Sequence, residues 1–159
     1  MFWSNFLEKH KYDIHGHGLE IGTTETIKHF GGDRLFKADA LDLSAHSPDV
    51  RIVVDLARAD SVTGDIYDCF VNQFTTAVIY DIEAALYHAI RLLKPRCVLL
   101  INFWCLDYYL HRGLNMGTGK NLYMHWWFTP INVENLFKIC EDQLHRFFLL
   151  FLCKRLSWQ

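Results

Sequence analysis

Three carboxylates recur at comparable places in this chain. Glu20 sits in the short run Leu19-Glu20-Ile21-Gly22, Asp39 closes the run 34–39, and Asp55 closes the run 50–55. A fourth run ends in the amides Asn72-Gln73. In an open parallel sheet, ligands bind outside the carboxyl ends of the strands, so residues that close successive strands converge on one place. Carboxylates there suit a ligand with an ammonium, a ribose diol and an adenine amino group, because one carboxylate accepts two hydrogen bonds from a vicinal diol. Taken singly, each acid could equally cap a helix or face water.

A second concentration of reactive side chains follows residue 103: Asp107, Tyr108, Tyr109, His111 and Arg112, then Tyr123, His125, Trp126 and Trp127. Histidine changes charge near neutral pH and is the usual general base for a hydroxyl. The aromatics suit a sugar face or an apolar ring, or they pack a core. His15 and His17 have the i, i+2 spacing that shares one strand face, with His10 nearby. With no HExxH pattern and no Cys/His quartet, no metal is assigned. The five cysteines include no CxxC pair and read as small core hydrophobes, with Cys97 and Cys105 the candidates for a reactive thiol.

The elements that must hold these groups read as alternating strands and helices. Strands are expected at 18–22, 34–39, 50–55, 68–73 and 97–103. Several are apolar on consecutive positions, as in parallel sheets covered on both faces. Residues 2–12 form a short amphipathic helix. Residues 81–94 carry Ile82, Ala85, Leu86, Ala89, Ile90 and Leu93 at helical period, with Asp81 as cap and Pro95 as stop. Thr129-Pro130 begins another helix, whose face is Val133, Leu136, Phe137 and Cys140. Strands alternating with helices imply right-handed crossovers and an α/β sheet.

With 159 residues, the chain is the size of a single domain, 1–159, that can bury its own core. Its composition is 51% apolar and 21% charged, which excludes a disordered or fibrous chain. Lys plus Arg number 16 against 18 Asp plus Glu, a net charge of −2, so no basic excess points to nucleic acid. The longest apolar run, Phe147–Cys153, is far short of the ~20 residues that span a bilayer. The first ten residues lack a signal peptide's apolar stretch, and the expected compartment is the cytoplasm.

The succession LEIG at 19–22, HFGGDRLFKADALDL at 29–43, VVDLARAD at 53–60, YDCFVNQF at 67–74 and DIEAALYHAIRLLKP at 81–95 resembles the class I S-adenosylmethionine-dependent methyltransferases. Within them it is similar to small methyltransferase-like domains associated with glycosyltransferases and polysaccharide biosynthesis. The resemblance covers residues 6–137. It implies a Rossmann-like fold of about five parallel strands with flanking helices and S-adenosylmethionine as cofactor. Glu20 and Gly22 then lie beside its methionine part, Asp39 on the ribose with Asp42 as a nearby rival, Asp55 and Leu56 beside the adenine, and Asn72 and Gln73 near the methyl group. The region after residue 103 would cover the acceptor, with His125 and His111 as candidate catalytic bases. The implied reaction is O-methylation of a sugar or other small hydroxyl acceptor.

The pattern departs from the family in three places. The glycine-rich loop is reduced to Gly22-Thr23-Thr24-Glu25, and the usual Lys-Pro-Gly-Gly reads Lys94-Pro95-Arg96-Cys97. The C-terminal strand pair is incomplete, with 146–153 able to supply one strand. These departures define the alternative, a non-catalytic domain used for scaffolding. Its apolar end could pair with a second copy, since an open apolar edge invites a partner.

Overall fold

Alternation along the central strands sends neighbouring side chains into two separate cores. Leu19, Phe70, Leu99 and Ile101 pack against helices on one face. Cys69, Val71, Val98 and Leu100 pack with Trp3, Leu7, Ile14 and Ile27 on the other. A strand apolar on consecutive positions needs cover on both sides, and here it has it.

The computed structural model describes residues 2–106, 124–144 and 148–152. Its strands are β1 (Gly16–Ile21), β2 (Leu35–Asp42), β3 (Val50–Val53), β4 (Tyr67–Asn72), β5 (Leu93–Asn102) and β6 (Phe148–Leu152). The helices are α1 (Phe2–Lys9), α2 (Glu25–Gly31), α3 (Ile82–Leu92) and α4 (Pro130–Leu144). The sheet order is β3-β2-β1-β4-β5-β6, and every pairing is parallel. This is a Rossmann-like sheet with the five expected strands and β6 added at one edge. Strand order reverses direction between β1 and β4, where loops diverge and leave a crevice.

Several boundaries differ from the sequence reading for physical reasons. β2 runs past Asp39 to Asp42, because Ala40 and Leu41 continue the ladder with Glu20 and Ile21. Asp39 is therefore a mid-strand residue, opposite Leu19. The helix at 81–94 ends at Leu92, and Pro95 already lies inside β5. Proline disfavours helical backbone in the residue before it, so the helix stops well short of it. Asp81 caps α3 as expected, its Oδ1 accepting from the Ala84 N–H at 3.1 Å. α2 has no counterpart in the sequence reading. Thr24 stands at its N-cap, but the hydroxyl is turned away to Asp49 Oδ2 at 2.6 Å and makes no cap bond.

Candidate functional site

A cleft of about 580 Å³ opens at the carboxyl ends of β1, β2 and β3 and against the loop that follows β4. Its walls are Ile21 from β1, Leu41 and Asp42 from β2 with Leu43 after them, Val54 to Arg58 beyond β3, and Thr75 and Val78 to Asp81 beyond β4. The lining is largely aliphatic, with Tyr80 exposed at one side. Asp42, Asp55 and Asp81 stand against one cation, Arg58.

Each lining group is placed by a short-range device. Asp55 caps a single helical turn, its Oδ1 accepting from the Ala57 N–H at 2.9 Å, and this turn tucks Leu56 under the cleft. Asp42 Oδ1 accepts from the Ser44 N–H at 3.2 Å, which bends the chain out of β2. Gly22 leaves β1 with φ +78°, a conformation that favours glycine, while its N–H donates to Leu41 O at 2.9 Å. A β-carbon on Gly22 would meet Asp42 Oδ2 at 3.4 Å. The first loop and the acid that closes β2 thus stand against each other with nothing between.

Of the residues the sequence singled out, Asp55 and Leu56 line the cleft, and Gly22 stands at its edge. Asp42, the rival of Asp39, occupies the strand-end position. Asp39 does not line the cleft. It is 4% exposed and receives His17 Nε2 at 2.7 Å, Lys37 Nζ at 3.0 Å and the Tyr67 hydroxyl at 3.4 Å. Burial alone would raise its carboxyl, but Lys37 and His17 outweigh that and hold it below the usual carboxylate range. Desolvation and the neighbouring Asp39 push the Tyr67 phenol upward. His17 joins this cluster through its Nε2. Among the described residues, no three His, Cys, Asp or Glu side chains gather as a metal site.

Glu20 is buried beneath the cleft's first loop, pointing to the other face of the sheet. Its Oε2 accepts from the Ile27 N–H at 2.9 Å and so caps α2 from a strand. Its Oε1 accepts from Gln73 Nε2 at 2.9 Å; the same amide reaches Thr26 Oγ1 at 2.7 Å, and Gln73 Oε1 accepts from the Trp3 indole at 2.9 Å. Burial raises the Glu20 carboxyl to about 7 against the pull of these donors. Asn72, also buried, shares a hydrogen bond with the Thr75 hydroxyl. Between them, Phe74 adopts φ +59°, and Asn102 Oδ1 holds its N–H at 2.7 Å. A bulky residue in left-handed backbone is strained and needs such support.

His125 is exposed, and its ring meets the edge of Tyr80 with centroids 5.4 Å apart. Its N–H donates to Ala77 O at 2.6 Å, and the Trp126 indole donates to Ile79 O at 3.0 Å and Tyr80 O at 2.9 Å. Segment 124–128 is thereby stitched across the post-β4 loop at the rim of the cleft. Trp126 is 40% exposed, whereas Phe128 is buried against Phe103. His111 lies outside the described residues. Of the candidate thiols, Cys105 is disulfide-bonded and Cys97 has its thiol raised by burial, so neither is a poised nucleophile.

Sequence reasoning missed Tyr80, Arg58 and His46. Tyr80 directly precedes the helix cap Asp81, and that adjacency was a usable signal. His46, seven residues before β3 closes, carries no local signal. Its Nε2 lies 2.9 Å from Gly22 O, its Nδ1 3.2 Å from Ser44 O and 3.9 Å from Asp42 Oδ2.

No family model and no curated relative matches the chain. Solved structures do. A provisionally designated methyltransferase of Bacillus halodurans aligns with TM-score 0.67 and 12% identity, over 86% of this chain and 68% of that one. An S-adenosylmethionine-dependent methyltransferase of Thermotoga maritima aligns with TM-score 0.60 and 18% identity, over 87% and 70%. The YcgJ protein of Bacillus subtilis aligns with TM-score 0.65 and 12% identity, over 87% and 68%. At these identities the likeness establishes the fold, the Rossmann-like fold of class I methyltransferases.

Proposed function

We propose that the protein transfers a methyl group from S-adenosylmethionine to a hydroxyl of a small acceptor, with a sugar or glycan precursor as the acceptor class. The observation that carries the cofactor half is the meeting of Asp42 and Gly22 at the carboxyl ends of β2 and β1. Beyond the bond it accepts from the Ser44 N–H, the Asp42 carboxylate keeps lone pairs for both hydroxyls of a ribose. Ile21, Leu41 and Leu56 offer an apolar floor to a purine, with Asp55 beside them for an amino group. Three acids against one arginine favour a cationic nucleoside over a nucleoside di- or triphosphate.

When bound, S-adenosylmethionine supplies an electrophilic methyl group on a sulfonium. In this reading Asp42 orients the ribose, Asp55 and Leu56 hold the base, and Glu20 and Gln73 fix the floor beneath the methionine end. His125, at the rim, takes the proton of the acceptor hydroxyl. Isothermal titration with S-adenosylmethionine tests the reading. Micromolar binding is expected; no binding at millimolar cofactor overturns it.

The position of β6 favours a second reading. Among the described residues it is the edge strand, paired with β5, and its sequence FLLFL is wholly apolar. A non-catalytic domain would use this edge to pair with a second copy of the chain. A dimer in light scattering together with no cofactor binding would favour that reading over catalysis. Among the described residues, no helix is long and apolar enough to cross a membrane.

A further inference from the structure

We propose that His46 is a positioning residue, a proton-dependent clasp that holds the loop after β1 against the acid that closes β2. This rests on the cofactor site described above and adds a residue to it. Both ring nitrogens of His46 face oxygens: Nε2 is 2.9 Å from Gly22 O, and Nδ1 is 3.2 Å from Ser44 O. Carbonyl oxygens only accept. A neutral imidazole carries one ring N–H, so the two bonds coexist only on the protonated ring.

The charge environment agrees. Among the described residues Asp42 is the charged group that faces the ring, its Oδ2 3.9 Å from Nδ1. The loop after β1 and the loop before β3 present carbonyl oxygens to it. Beneath the same loop, on the other face of the sheet, Glu20 is a second group that titrates near neutrality. Any test must separate the two.

The clasp also accounts for the shortened glycine motif. A loop of Gly22-Thr23-Thr24-Glu25 has one residue at positive φ and little freedom to shape itself around a ligand. Tying its carbonyl to the neighbouring loop fixes its position without further glycines. Protonated His46 holds Gly22 and Asp42 in register; neutral His46 gives up one of its two bonds, and the edge of the cleft loosens.

The experiment has two arms. The first needs no ligand: amide exchange at Gly22, whose N–H donates to Leu41 O, is followed from pH 5.5 to 8 and corrected for the intrinsic rate, with the core amide of Phe70 as reference. In the wild type, Gly22 protection should fall about tenfold across this range, as expected for losing one charge-assisted bond, beyond any change at Phe70, which follows the global stability that Glu20 sets. His46→Gln keeps one donor and should show no such pH dependence. Flat wild-type protection overturns the proposal, and so does a wild-type slope retained in His46→Gln, which would assign the titration to another group, Glu20 first.

The second arm measures S-adenosylhomocysteine affinity at pH 6 and pH 8. The wild type should weaken about tenfold and His46→Gln should not change. Equal slopes in the two proteins overturn the cofactor role. If the wild type binds no S-adenosylhomocysteine at either pH, the methyltransferase reading fails, and the exchange arm still decides the clasp.

Discussion

Gln73 Nε2 donates to Glu20 Oε1 at 2.9 Å, joining the end of β4 to the end of β1 across the point where the sheet reverses direction. Glu20 also caps α2, so one buried carboxylate fixes three elements. Its carboxyl lies at about 7 instead of the ordinary 4.5. Between these values the folded protein keeps a proton that the unfolded chain has released. Stability contributed by the protonated group is therefore lost as pH rises from about 4.5 to 7, by about 3 kcal/mol. Urea unfolding from pH 4.5 to 8 should show this decline, and Glu20→Gln should flatten it. A slope unchanged in the variant would contradict the assignment.

Asp42 and Asp39 should separate cleanly by experiment. Asp42→Ala should weaken S-adenosylhomocysteine binding about tenfold or more, the value of a charge-assisted bond to a ribose hydroxyl. Asp39→Ala should leave affinity intact. It strips His17, Lys37 and Tyr67 of their shared partner and should lower stability by about 3 kcal/mol. Titration calorimetry and denaturant unfolding on both variants check the pair. The reverse pattern would return the ribose to Asp39.

Gly22→Ala tests the shape of the first loop. At φ +78° an alanine is strained by about 1–2 kcal/mol. Its methyl would sit 3.4 Å from Asp42 Oδ2, in ordinary van der Waals contact at the edge of the cleft. We expect both a lower melting temperature and weaker cofactor binding. A loss of stability with unchanged affinity would show that Gly22 serves the backbone alone.

His125→Ala should reduce methyl transfer by ~10²–10⁴-fold while cofactor affinity stays nearly unchanged, as for loss of a general base. Its exposed ring makes a purely structural effect small. An unaltered rate in a folded variant would remove the catalytic role.

The sheet was legible because its strands carry dense apolar runs bounded by Gly, Pro and charged residues. Asp81 and Thr129-Pro130 marked their helices through local chemistry, with Thr129 Oγ1 accepting from the Asn132 N–H at 3.3 Å. What escaped the sequence was non-local. Nothing near residue 39 says that the strand continues three residues further; that depends on Ala40 and Leu41 finding partners in β1. Near residue 25 the local sign, Thr24 before Glu25, is weak, because the Thr24 hydroxyl goes to Asp49 and the cap is supplied by Glu20 from a strand. His46 is invisible for the same reason, since its partner Gly22 is 24 residues away. Asp55 and Leu56 were found because the turn that presents them is built from adjacent residues.

The parallel sheet also dictates an order of events at the ribosome. β1 can pair with β2 soon after synthesis, since Gly16 meets Leu35. Its other side waits for β4, where Gly18 meets Cys69, 51 residues later. At ~5–20 residues per second, that interval is roughly 3–10 s, during which the central strand of the finished protein is an open edge. β5 waits as long again for Phe148, the partner of Val98. The nascent chain therefore carries exposed apolar strands for most of its synthesis, and its yield should depend on translation speed and on holding chaperones more than its final stability would suggest.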